Sequence, residues 1–207
     1  MAVDCPCPLS AALTSITKAN CGFDMGQIQR FAVQRLGNSF LGDTDANNIT
    51  KLSAWTTRLA ATDSTKIVVS PLIGGDPIIT AGEVITTGGD DNTTLNGEEE
   101  VTGVGASLFT CVFKSITPDN EREMQLLLCE KKVRVFLFNH SGKIFALDVT
   151  LGGADKQGFE ASNLFLSDRT NSGFGTKDTH PFRMSLPSGW SNNLVQITPE
   201  FNPLTEI

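Results

Sequence analysis

The sequence predicts a mainly β (α+β) fold: an antiparallel β-sandwich or barrel with one flanking helix, a short second helix, a long loop and extended terminal arms. Three observations carry that prediction. The run SLFTCVFK sets Phe109, Cys111 and Phe113 on one face by strict alternation. Thr117 followed by Pro118 is a strong helix start, and the helix it opens lies between strands. VRVFLFN and KIFALDV then flank the turn-forming NHSG at 139–142, which is the pattern of a β-hairpin.

Taken in order, the opening residues carry Cys5, Pro6, Cys7 and Pro8, too interrupted by proline for helix, and an extended arm over 1–26 is expected. The spacing in QIQRFAVQRL suits either a strand or a short helix. Strand is preferred because Phe31 and Val33 share a face at period two, and 37–48 is a turn-rich connector. Thr50 is the expected N-cap of a short amphipathic helix with Leu52, Trp55 and Leu59 on one stripe. TKIVVSPL is expected as a buried strand halted at Pro71.

Residues 74–105 are rich in Gly and Thr, with acids at Asp90, Asp91 and 98–100 and short apolar patches at Ile78, Ile79, Val84 and Ile85. They are expected as a long projecting loop or loose hairpin, a length that in compact domains accompanies function, disorder or ordering against a neighbour. In the helix after Thr117, Met124, Leu127 and Leu128 are spaced for a core stripe, and the acids of its first turn complement the macrodipole. With its hairpin, this strand-helix-hairpin unit spans 106–150. GFEASNLFLSD, PFRMSLP and LVQITP supply further strands, TNSGFGTKD a flexible turn, and 199–207 a C-terminal arm. A single domain over 1–207 without internal repeats is expected.

Hydrophobic residues at 40% and charged residues at 19% call for a packed core. A formal net charge of -7, with Lys and Arg scattered, argues against gripping a phosphate backbone. No window approaches the roughly 20 apolar residues of a membrane span. The opening MAVDCPCPLS has neither the basic start nor the apolar run of a signal peptide, so folding in the cytoplasm with five reduced cysteines is expected.

No catalytic, cofactor-binding or metal-binding residue is expected. Cys5, Cys7 and Cys21 lack the paired spacing of a zinc site, and Cys111 and Cys129 fall in core-forming elements. DTDANN at 43–48 resembles the start of a calcium loop, but Asn48 stands where that loop needs Gly and Ala54 where it needs Glu. An Asx-rich turn fits better, as does a loop tip for GGDDN near Asp90. His140 beside Ser141 invites a base and nucleophile, yet neighbours in a tight hairpin are expected to point apart and no GxSxG elbow is present. His180 precedes Pro181, as at an extended strand entry. The glycine pairs at Gly74, Gly88 and Gly152 lack the residues that complete a phosphate-binding loop. Without Tyr, a stacking platform for bases or sugars is poorly supplied. The sequons at Asn48, Asn92 and Asn139 are taken as chance matches.

CPCP, FDMGQIQRFAVQRLG, LSAWTTRLAATDSTKIVVSPLI and ITPEFNPLTEI together resemble structural proteins of phages and prophages of the Bacteroidetes. ASLFTCVFKSITPDNEREMQLLLCE followed by KVRVFLFNHSGKIFAL is similar to the strand-helix-strand segment of tail-tube (major tail) proteins. That resemblance implies a small β-sandwich or barrel flanked by a helix, self-association into rings, commonly of six, and stacking of rings into a conduit for DNA ejection in the virion tail. Residues 74–105 would match the loop that reaches an adjacent ring. The implied partners are other copies of the chain, with sheath, tape-measure, tail-terminator and baseplate proteins, while DNA passes without specific binding. Other virion roles (capsid decoration, head fibre, baseplate) and a ligand-binding β-module are the alternative readings.

Overall fold

The computed structural model describes residues 24–42, 44–89, 94–150 and 152–207. Its elements run β1 (Ile28–Arg35), α1 (Leu52–Ala60), β2 (Ile67–Val69), β3 (Ile78–Thr80), β4 (Val84–Thr87), β5 (Glu100–Val104), β6 (Ser107–Lys114) and α2 (Pro118–Leu126). They continue with β7 (Lys132–Asn139), β8 (Ile144–Asp148), β9 (Lys156–Gln157), β10 (Phe159–Leu166), β11 (Thr179–Leu186) and β12 (Leu194–Ile197). The fold is mainly β, every described pairing is antiparallel, and the two helices flank the sheet.

β7 is the hub. One edge pairs with β1, from Arg35 opposite Val133 to Ile28 opposite Asn139. The other edge is shared: β10 takes its first half, with Phe159 opposite Val135, and β8 takes its second, with Leu137 opposite Phe145. From β10 the sheet continues through β11 and β6 to β3, and from β8 it passes to β12 and β9. The β10–β11–β6 limb curls back toward β1. The segment after β2 stitches the two, since the Ile73 amide donates to the Gln29 carbonyl of β1 and the Gly74 amide to the Val112 carbonyl of β6, both at 2.8 Å. No full ladder forms at that seam, so the barrel is not closed.

Because the sheet is covered on both sides of β1, β7 and β8, these strands bury side chains in both directions. This explains why VRVFLFN carries the unbroken apolar run Val135, Phe136, Leu137 and Phe138 in place of alternation. Phe31, Val33, Val135 and Leu137 enter an inner core with Phe109, Phe113, Phe159 and Phe182. Ala32, Phe136, Phe138 and Ile144 enter an outer core under Phe40, Ile49 and Trp55. The predicted shared face of Phe31 and Val33 and that of Phe109, Cys111 and Phe113 are both found in the inner core. The close approach of β10 to β7 requires Gly158, where an added Cβ would stand 2.8 Å from both the N and the O of Val135. Gly158→Ala is therefore expected to cost about 1–3 kcal/mol by forcing the two strands apart. Urea denaturation measures it, and a loss below about 0.5 kcal/mol, the scale of an ordinary surface change, contradicts the clash.

Several expectations need correction. Thr50 does not cap α1: its amide and hydroxyl both donate to Asn48 Oδ1, and the cap residue is Lys51, without a side-chain cap bond. The buried stripe of α1 is Ala54, Trp55 and Arg58, in place of Leu52, Trp55 and Leu59. Arg58 lies over the Phe40 ring at 4.1 Å and donates to the Ala46 and Ala54 carbonyls, which turns the helix toward it. β2 is only half buried, with Val68 exposed on its outer side. In α2, Thr117 Oγ1 accepts from the Asn120 amide as predicted, and Met124 is buried. Leu128 is exposed, because Leu127–Cys129 tighten into a 3-10 turn that rotates it off the core face.

At the ends, residues 1–23 of the expected N-terminal arm lie outside the described residues. The last nine residues do not extend away. Phe201, Leu204 and Ile207 pack on the outer core, Pro203 is buried, and Arg30 Nη1 donates to the Leu204 and Ile207 carbonyls. Apolar side chains alternate there with hydrogen-bonded turns, so burial outweighs the extended form.

Candidate functional site

Of the 74–105 stretch expected to project, Ile78–Thr80 instead joins the main sheet as β3 against β6. Only the part from Gly82 on forms a loose hairpin, in which β4 and β5 pair apart from the main sheet with a register shift between Ile85 and Thr86. Its base is fixed by backbone contact. The Gly105 amide donates to the Glu83 carbonyl at 2.8 Å, and a Cβ on Gly82 would stand 2.0 Å from the Gly105 carbonyl oxygen. Val84, Ile85, Leu95, Val101 and Val104 are each 46–83% exposed. A two-stranded ribbon is marginal in water by itself, and this one places no side chain in either core. Five exposed apolar residues on so small an element make it a candidate interaction site.

The same stretch carries the molecule's charge. Between Lys66 and Lys114 there are seven acidic residues and no Lys or Arg, while the rest of the chain balances at 16 against 16. The hairpin is thus an apolar, acidic finger on a neutral body.

On another side of the molecule, 168–180 is cross-braced and not the flexible turn expected. Arg169 bonds Glu121 of α2 at 2.9 Å and Asp178 at 3.3 Å, and Asn171 donates to Asp178 at 2.6 Å. The Asn171 amide, then the Arg169 guanidinium, hold the Asp178 carboxyl below the usual carboxylate range. His180 is wholly buried in β11, its Nδ1 3.3 Å from the Ser167 carbonyl and its Nε2 3.6 Å from Glu121.

The residues that invited chemistry are dispersed. Cys5, Cys7, Cys21, Asp43, Asp90, Asp91 and Asn92 lie outside the described residues. Burial pushes the Cys111 thiol up to about 12, whereas Cys129, expected in a core-forming element, is exposed at the end of the 3-10 turn that follows α2. Among the described residues, no three His, Cys, Asp or Glu gather as metal ligands. Residues 44–48 form a backbone turn in which the Asn47 and Asn48 amides donate to the Thr44 carbonyl. An Asx turn follows, Asn48 Oδ1 accepting from the Thr50 amide, while Asn47 Oδ1 accepts from Arg58. Contrary to the expectation that they point apart, Ser141 Oγ lies 3.1 Å from His140 Nε2. The pair is exposed, and among the described residues nothing hydrogen-bonds the other ring nitrogen to orient it.

The glycine pairs serve the chain's own turns: Gly74 packs on Lys114, Gly88 and Gly89 turn the hairpin with positive φ, and the Gly152 amide donates to Asp148. Asn139 is buried, its Oδ1 accepting from the Ser141 and Lys143 amides. The exposed Phe174, the groove between β2 and α2, and the docked C-terminal residues were missed by sequence reasoning. For Phe174 the signal was present, an aromatic between two glycines.

No known protein-family profile matches the chain, and no curated protein matches it. Among solved structures, it is similar to a chain from a structure described as the tail of an empty GTA particle computed with helical refinement and C6 symmetry. That likeness has a TM-score of 0.34 and 13% identity, and covers 61% of this chain and 84% of that one. No helix of the described residues is long and apolar enough to cross a membrane.

Proposed function

We propose that this is a non-catalytic virion structural protein that assembles with copies of itself, and specifically the tail-tube subunit of a tailed phage or prophage. In this reading rings of six, the number implied by the sequence resemblance, stack into the conduit for DNA ejection. The observation that carries self-assembly is the β4–β5 finger, whose apolar residues stay in water in the isolated chain and whose seven-acid segment opposes a neutral body. Two such fingers repel each other, so the favoured contact is finger to body. Contacts between unlike surfaces close into rings or propagate as filaments. Negative charge directed inward keeps phosphate from adhering to the lumen. Sheath, tape-measure, tail-terminator and baseplate proteins are the further partners of this reading.

Negative-stain electron microscopy with light scattering on the purified chain tests it. Hollow tubes or six-fold rings are expected. Replacing 84–104 by a short Gly-Ser linker is expected to leave monomers with an unchanged Tm, since neither core draws on the finger. Wild-type protein that stays monomeric at all concentrations sinks the proposal, and stable trimers favour a decoration or fibre role.

A further inference from the structure

Phe174 is the most exposed large apolar residue of the described chain, at 109%. It stands between Gly173 and Gly175, both at positive φ (96° and 85°), so the loop bends sharply on either side of the ring. The support beneath it is firm. Asn171 Oδ1 accepts from the Gly173 amide at 2.9 Å, Thr176 Oγ1 donates to the Gly173 carbonyl at 2.9 Å, and Thr170 pairs with Thr179. With Asn171 and Arg169 also bound to Asp178, the ring projects from a preorganised base and has little loop entropy to lose on docking.

A recipient of matching size lies elsewhere on the same chain. Between β2 and α2 a groove of about 260 Å³ is floored by Phe31, Val33, Met124 and Leu127 and walled by Val68 and Val69. That falls below the roughly 300–1,000 Å³ of sites for drug-sized ligands and suits one large side chain. Charge agrees with shape. Lys177, three residues from Phe174, and Glu123 at the groove rim each make no ion pair among the described residues.

We propose that Phe174 of one copy inserts into the β2–α2 groove of a neighbouring copy, with Lys177 set beside the neighbouring copy's Glu123. A buried aromatic in a desolvated pocket is the usual anchor of an interface. Knob and groove are different surfaces on one braced body, α2 being tied to the loop through Glu121 and Arg169, so each copy gives one contact and receives one. This yields a head-to-tail series. The inference rests on the self-assembly reading and specifies a contact separate from the finger.

The test places the photo-crosslinker p-benzoylphenylalanine at position 174 in the full chain and maps the products by mass spectrometry after assembly and irradiation. Crosslinks to residues 68–71 or 120–127 of a second copy are expected. Phe174→Ser is expected to raise the concentration needed for assembly at least tenfold with Tm unchanged. If the wild type assembles but crosslinks map elsewhere, or Phe174→Ser assembles at the wild-type concentration, this inference is overturned while self-assembly stands. Wild-type protein that never assembles overturns both.

Discussion

Replacing Trp55 by alanine is expected to remove about 3–5 kcal/mol of unfolding free energy, the range for deleting a fully buried large aromatic. The indole sits at the centre of the outer core, 4.8 Å from the Phe40 ring, 5.4 Å from Phe136 and 5.5 Å from Phe138. Its Nε1 donates to the Ile49 carbonyl at 2.8 Å, so the substitution also leaves that buried acceptor without its donor. At roughly 2–4 °C per kcal/mol for a chain of this size, Tm should fall by about 6–20 °C. Trp55 is also the ring against which Phe201 rests, so limited proteolysis of the variant should begin within 199–207. Trp55→Phe keeps most of the volume and should lose much less. A Trp55→Ala variant within about 1 kcal/mol of wild type would mean that the outer core does not carry this load.

Phe31→Ala should lose a similar amount, about 3–5 kcal/mol, from the opposite side of the same sheet. Its ring stacks on Phe182 at 5.0 Å and meets Phe113 and Phe109 edge-on at 6.0 and 6.3 Å, joining β1 to β6 and β11 across the inner core. The backbone bond from the Phe31 amide to Ser70 Oγ survives the change, so the loss reads packing alone. Combined with Trp55→Ala, the summed loss reaches the whole stability of an ordinary domain, about 5–15 kcal/mol. The double variant is expected to be unfolded by circular dichroism at 25 °C. A double variant that retains a cooperative transition would show that the cores are coupled so that one loss contains the other.

The strands were legible where one local rule decided them. Alternation in SLFTCVFK, the Thr117–Pro118 start and the Asn139–Gly142 turn need no knowledge of distant residues, and each is found as read. What was not legible depended on partners far along the chain. Arg58 is buried because Phe40 and the 44–48 turn are there to receive it, and 199–207 docks because Arg30 on β1 and Trp55 on α1 are there to hold it. The candidate site divides in the same way. The composition of 74–105 announced a projecting segment, but its exposed apolar residues and the groove that α2 forms with β2 follow only from which strands pair.

The position of β7 as the shared strand of both limbs sets the order in which the molecule is made. β1 leaves the ribosome about 100 residues ahead of β7, its long-edge partner, and such distant closures are slow. Neither core can be sealed until β7 arrives, and the inner one waits further for β10 and β11. The acidic finger is therefore synthesised well before the groove or Phe174 has a folded base. In the assembly proposed above, translation order would keep a half-finished chain from joining, because the groove and Phe174 gain a folded base only once β7, β10 and β11 are in place.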